Sequence, residues 1–170
     1  MTERVTRTEA FLLVAQQLSR LSSCHSRHVG CVLTDEHHRL IGLGYNGCPT
    51  KIEHACDSGC VREDCKPGER LDLCLAIHAE ANALMHCEDI KRVHACYVWG
   101  ATPCWECAKL LCNSSVKAVF SSSQYGSEAD ARIISLFHQR CTSLNIVTFP
   151  ATVYERSDEH SYSITLKKLC

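Results

Sequence analysis

The chain has 170 residues, 45% of them hydrophobic, enough for one domain with a substantial core. Its formal charge of -1 excludes the broad basic field that long nucleic acids require and points to small-molecule partners. No apolar run approaches the roughly 20 residues of a membrane span, and the first residues lack a signal-peptide h-region, so a non-membrane, cytoplasmic protein is expected.

Residues 6–22 set Ala10, Leu13, Val14, Gln17, Leu18 and Leu21 along one stripe and predict an amphipathic helix packed on a sheet. Two β-rich runs, 29–34 and 40–45, flank the polar stretch 35–39 and predict a hairpin. It ends in Gly-Tyr-Asn-Gly, a turn in which Asn46 is either a plain turn residue or a ligand contact. Residues 48–74 then form a polar, irregular insert carrying Cys48, Cys56, Cys60, Cys65, Cys74 and His54. A loop of that length inside a compact domain is usually functional or held by something, and a second metal would hold it. Cys24, just ahead of the first strand, is a candidate to close that site. Free thiols on a flexible loop are the alternative.

The run 78–87 is rich in Ala, Leu, Met and Glu without Gly or Pro, and predicts a helix beginning near His78. A strand over 95–101 follows. Thr102 and Pro103 read as a cap and a helix-starting proline, and Cys104, Cys107 and Leu111 fall at i, i+3 and i+7 of the next helix. Strands over 117–121 and 145–149 bracket a helix over 128–140 whose buried stripe runs in or near Ala131, Ile134, Leu136 and His138. Residues 151–170 form a polar tail. Strands alternating with helices in the second half imply parallel crossovers. The expected fold is therefore one α/β domain over 1–170, a three-layer α-β-α sandwich around a mixed five-stranded sheet.

Fourteen cysteines would suggest a disulfide scaffold in a small secreted protein. Without an export signal, and with histidines at metal-ligand spacing, they point to thiolates on zinc. Cys31, Cys96, Cys112 and Cys141 lie on apolar faces and read as small core residues. The sharpest signal is His78-Ala79-Glu80 combined with Pro103-Cys104-Trp105-Glu106-Cys107. A lone C-x-x-C is weak evidence and a lone H-x-E nearly none. Together they supply one imidazole, two thiols and a free carboxylate, which is a zinc site with an open position and a proton carrier beside it. That pairing is the signature of zinc nucleobase deaminases, in which a metal-activated water attacks the carbon bearing an exocyclic amine.

Over roughly residues 10–150 the chain resembles the cytidine deaminase-like superfamily, and within it the deoxycytidylate (dCMP) deaminases. The resemblance rests on Val29-Gly30, on Gly44-Tyr45-Asn46-Gly47-Cys48-Pro49, on His78-Ala79-Glu80-Ala81-Asn82-Ala83 and on Thr102-Pro103-Cys104-Trp105-Glu106-Cys107-Ala108-Lys109. Gly59-Cys60-Val61-Arg62 with Leu73-Cys74 is similar to a cysteine-bearing insert of many bacterial and phage members. The resemblance implies hydrolysis of dCMP to dUMP and ammonia, supplying thymidylate synthesis, with zinc on His78, Cys104 and Cys107 and Glu80 as proton shuttle. It also implies a base pocket lined by Ala79, Thr102 and Pro103, Asn46 at the sugar and Arg27 at the 5′-phosphate. A second, structural zinc would be drawn from Cys24, Cys56, Cys60 and Cys74.

Many family members are homohexamers regulated by dCTP and dTTP. Where the family commonly carries Tyr followed by Arg, this chain has Tyr125 followed by Gly126. That departure leaves room for a modified cytosine nucleotide, a nucleoside or dCTP as substrate. Two other classes stand beside this reading: a nucleic-acid deaminase stacking bases on Trp105 and Tyr125, and a zinc-structured binding module without catalysis. The charge opposes the first and Glu80 opposes the second.

Overall fold

The computed structural model of the chain describes residues 4–66, 69–123, 127–140 and 143–146. Tyr125, Cys141, residues 151–170 and the side chain of Cys56 lie outside this description.

Helix α1, Arg7–Ser19, opens with a capping box in which Thr6 Oγ1 accepts from the Glu9 amide and the Glu9 carboxylate accepts from the Thr6 amide. Strands β1 (Gly30–Thr34) and β2 (Leu40–Tyr45) form the expected hairpin. The insert contains one short helix, α2 (Ala55–Ser58), and a 3-10 turn over Leu71–Leu73. Helix α3 (Ala79–Met85), strand β3 (Ala95–Trp99), helix α4 (Trp105–Asn113), strand β4 (Ala118–Ser121), helix α5 (Ser127–Gln139) and strand β5 (Ser143–Ile146) complete the order. The strands lie as β2-β1-β3-β4-β5. β1 is antiparallel to both neighbours, whereas β3–β4 and β4–β5 are parallel. The α/β class and the mixed sheet match the sequence-based expectation.

Alternation along the central strands sorts their side chains between two cores. Cys31, Leu33, Cys96 and Val98 enter a cluster with Ala79, Ala83, Ala108, Leu111, Ile133 and Phe137, beneath α3, α4 and α5. Val32, Ala95 and Tyr97 face the opposite side, where Leu12 and Ala15 of α1 cover them. There the Tyr97 ring stacks on Phe120 and tilts against Phe11, with centroids 4.9 Å apart in both pairs. Cys31, Cys96 and Cys112 are buried core residues, and the described cysteines are free thiols.

Two helix faces differ from the expected stripes. α1 buries Leu12, Ala15, Gln16 and Ser19, leaving Val14 and Leu21 exposed. Residues 11–15 are apolar all round, so their periodicity marks no unique face. The face is set by β1: a Cβ at Gly30 would lie 1.8 Å from the Ala15 carbonyl oxygen and 2.8 Å from the Ser19 nitrogen. Only a glycine facing small residues permits so close a helix–strand contact. On α5 the buried pair is Ile133 and Phe137, at i and i+4, while Ala131 and His138 are exposed.

The antiparallel and parallel pairings bring several chain ends to one edge of the sheet. Gly30 pairs with Tyr45 and with Trp99, so the start of β1, the end of β2 and the end of β3 are neighbours. The end of β4 lies alongside, because β4 runs parallel to β3. Beyond β2, Gly47 and Ile77 exchange backbone hydrogen bonds of 3.2 and 2.8 Å, fastening the lead-in of α3 to the same edge.

Candidate metal centre and active site

Two helix starts meet at that edge, and in both the N-cap residue is a candidate ligand. His78 caps α3 and Cys104 caps α4, and neither side chain makes a capping hydrogen bond. They turn toward each other instead: Cys104 Sγ lies 3.3 Å and Cys107 Sγ 3.4 Å from His78 Nδ1. The expectation that Thr102 and Pro103 begin the helix is thus displaced to Cys104. Thr102 is buried, and its hydroxyl donates to the Ser123 carbonyl rather than capping α4.

The ligand atoms of His78, Cys104 and Cys107 all fall within 4.8 Å of one another, the one such group of three among the described residues. Zinc bonds of about 2.0 Å to nitrogen and 2.3 Å to sulfur in a tetrahedron require N···S edges of about 3.6 Å. The observed separations fit that requirement, and three protein ligands leave the fourth position open, as in catalytic zinc sites.

The electrostatics favour a cation. The Cys104 thiol is pulled down to about 4 by the hydrogen bond from Cys107 and then by His78. The proton stays on Cys107, which is pushed up by its bond to Cys104 and by burial. The same Cys104 contact raises the His78 imidazole. The cluster therefore already carries thiolate character, the form that binds zinc. Glu80 is 3% exposed, and burial pushes its carboxyl up to about 7. A carboxyl poised there can both accept and release a proton near neutral pH.

The neighbouring backbone is rigidly held. The Asn46 amide accepts from the Val29 N–H and donates to the Arg27 carbonyl, both at 2.8 Å, so it clamps the end of β2 to the lead-in of β1. Asn82 Nδ2 donates to the Tyr45 carbonyl at 2.8 Å. A Cβ at Gly44 would lie 2.3 Å from the Ala79 carbonyl oxygen, so α3 rests directly on the β2 backbone. Ser121 Oγ donates to the Ala101 carbonyl at 2.9 Å, and Ser122 Oγ accepts from the Gly100 N–H at 3.0 Å. These serines, which sequence reasoning missed within a plain serine run, shape the loop that delivers Cys104.

Of the remaining candidates, Ala79, Thr102 and Pro103 are buried beside the cluster and Arg27 is exposed at the start of β1. Cys24, Cys60 and Cys74 line one cavity of about 80 Å³ together with Cys48. They do not form a three-ligand group within 4.8 Å. A contact that the sequence did not reveal is Arg132 of α5, whose guanidinium carbon lies 4.8 Å over the Trp105 ring.

Comparison with known proteins agrees with this geometry. The family described as "Cytidine and deoxycytidylate deaminase zinc-binding region" matches residues 5–123. A deoxycytidylate deaminase of Saccharomyces cerevisiae is 32% identical over 116 residues, covering 68% of this chain and 37% of that protein. Deoxycytidylate deaminase of Mycobacterium phage D29 is 32% identical over 65% of this chain and 90% of its own length. The chain thus spans well under half of the yeast relative but nearly all of the phage one. Among solved structures, dCMP deaminase from the cyanophage S-TIM5 in complex with dCMP and dUMP superposes with a TM-score of 0.64 at 23% identity, over 85% of this chain and 99% of that one. That likeness establishes the shared fold.

Proposed function

Because this chain belongs to the cytidine and deoxycytidylate deaminase family, we propose that it hydrolyses dCMP to dUMP and ammonia, supplying dUMP for thymidylate synthesis. The observation that carries the reading is the buried Glu80 carboxyl behind a three-ligand His78, Cys104 and Cys107 cluster. Zinc held by those three groups would supply Lewis acidity toward a water molecule. Glu80 takes the proton of the attacking water, delivers it to ring N3 and then protonates the departing amine. Ala79, Thr102 and Pro103 would line the base pocket, with Asn46 on the sugar side and Arg27 on the phosphate side; Tyr125, a further substrate-binding candidate, lies outside the described residues.

The decisive experiment follows loss of cytosine-ring absorbance with dCMP, 5-methyl-dCMP, dCTP, deoxycytidine and an oligonucleotide. Turnover confined to dCMP supports the reading. Turnover of another member moves the substrate while keeping the chemistry, and none at all overturns it.

A second, structural zinc in the insert is part of the same proposal, drawn from Cys24, Cys56, Cys60 and Cys74. The cavity shared by Cys24, Cys60, Cys74 and Cys48 supports it. Two zinc ions per chain, falling to one in Cys60→Ser, is the expected metal content. Regulation by dCTP and dTTP and assembly as a homohexamer, which the resemblance implies, belong to the same proposal. Leu40, Leu43 and Tyr45, exposed on the edge strand β2, support self-association. The free thiols suit a reducing, cytoplasmic setting, and among the described residues no helix is long and apolar enough to cross a membrane.

A further inference from the structure

Both thiols of the metal cluster belong to the start of α4, yet they are held by different means. Cys107 lies in the first turn of the helix, and Ala108, Leu111 and Cys112 seat that helix on the core. Cys104 stands ahead of the first turn, with extended backbone at φ -69° and ψ 171° and no side-chain capping bond. The helix holds it through the Ala108 amide, which donates to the Cys104 carbonyl at 2.8 Å. Its other side depends on residues 100–103, the segment that leaves β3.

That segment is fastened to the end of β4 by buried hydroxyls. The Ser121 hydroxyl donates to the Ala101 carbonyl at 2.9 Å and accepts from the Ser123 amide at 3.2 Å. The Thr102 hydroxyl donates to the Ser123 carbonyl and lies 3.4 Å from Ser121 Oγ. The Ser123 carbonyl is also 2.7 Å from Ser121 Oγ. A hydroxyl has one proton to give, and with Thr102 donating to Ser123, the Ser121 proton serves Ala101. Ser121 and Thr102 are 0% and 1% exposed, so no solvent molecule replaces a lost partner there. Removing the Ser121 hydroxyl strands a carbonyl on one side of the segment and an amide on the other.

The structure assigns Ser121 the role of a positioning residue for the metal centre: with Thr102 it latches residues 100–103 to β4, and so sets Cys104, rather than Cys107, in its place beside His78. Cys104 Sγ, 3.3 Å from His78 Nδ1, is the ligand atom that shifts when the latch is released. Groups that orient the ligands of a metal commonly govern its affinity by about ten- to a hundredfold. The inference rests on the deaminase reading above and adds a supporting residue to that site.

It is tested with Ser121→Ala, with Ser121→Thr, which keeps the hydroxyl, and with Ser114→Ala. Ser114 is the matched control, since its buried hydroxyl donates to the Leu111 carbonyl at 2.6 Å and accepts from the Val116 amide at 3.2 Å, but at the far end of α4. The readouts are zinc affinity by competition with a chromophoric chelator, the thiolate-to-cobalt charge-transfer band of the Co(II)-loaded protein, Tm in excess zinc, and kcat and KM for dCMP. Subtracting Cys107→Ala removes the signal of thiols elsewhere in the chain.

Ser121→Ala should weaken zinc roughly tenfold, shift and weaken the cobalt band, and lower kcat by a similar factor. Ser121→Thr should restore most of each. Ser114→Ala should lower Tm while leaving zinc affinity and the cobalt band at wild-type values. Thr102→Val, which keeps the shape and removes the other hydroxyl, gives the same test should Ser121→Ala not fold. Unchanged affinity and band in the variant that folds, or equal changes in Ser114→Ala, overturn the latch. Wild-type protein that binds cobalt through its thiols and shows these variant effects, yet turns over no cytosine compound, overturns the deaminase reading and keeps the latch. Wild-type protein that binds neither metal overturns both.

Discussion

At the scale of single residues, Glu80 combines near-complete burial with a carboxyl raised to about 7 and a place beside three metal-binding groups. Glu80→Gln preserves shape and hydrogen bonding but cannot carry the proton. Turnover should fall by about a thousandfold or more, in the range lost with a general acid–base, while zinc content measured by atomic absorption stays at the wild-type level. Cys107→Ala should instead lose both the metal and the activity. These residues were legible in the sequence because the chemistry is local: each half-site fits within one helix turn, so spacing alone places its ligands on one side. Asn46 was legible as a turn residue or a ligand contact, but not as a clamp. Its clamp on Arg27 and Val29 joins two strands, and no local pattern encodes that. Arg132 over Trp105 was hidden for the same reason, since the two belong to different helices.

At the scale of elements, the β1–β2 turn is organised by one buried carboxylate. Asp35 Oδ1 accepts from the His37 and Arg39 amides, both at 2.9 Å, and Oδ2 pairs with Arg92 at 3.0 Å. The Arg39 amide first, with Arg92 and His37 adding, holds the Asp35 carboxyl below its ordinary value. Its contribution to stability is therefore present above the unfolded value of about 3.9 and is lost as pH falls through the lower folded value. Asp35→Asn should flatten the acid limb of a plot of Tm against pH while lowering Tm at pH 7. A steeper acid limb in the variant would contradict this assignment.

Gly30→Ala is expected to be worse, because its Cβ would meet the Ala15 and Ser19 backbone. Overpacking of this kind costs about 1–3 kcal/mol or more, readable in urea unfolding. The elements themselves were legible from capping, turn residues and periodicity. Their faces were not always so. α1 is apolar on nearly every side, and only the close approach at Gly30 selects Ala15 and Ser19 as the contact; α5 likewise turns Ile133 and Phe137 inward rather than Ala131 and His138.

At the scale of the whole molecule, the sheet order draws the starts of α3 and α4 together, and a metal shared between them would tie two helices from separate parts of the chain. Chelation should therefore lower Tm, and zinc but not magnesium should restore it, because thiolate and imidazole ligands do not suit the harder ion. An unchanged Tm after verified metal removal would contradict a role for the ion in the fold.

The Gly47–Ile77 bridge carries a further consequence. It brings the two ends of the cysteine-rich insert to adjacent backbone positions, so what lies between them is an appendage rather than a link in the main path. Changing the length of such a segment alters chain-closure entropy by only about 0.6 kcal/mol per doubling. The catalytic frame and the insert are thus separable as engineering modules. A chain in which a short glycine-containing turn replaces residues 49–75 should retain the His78, Cys104 and Cys107 centre, and inserts of other lengths and chemistries should be graftable at the same point.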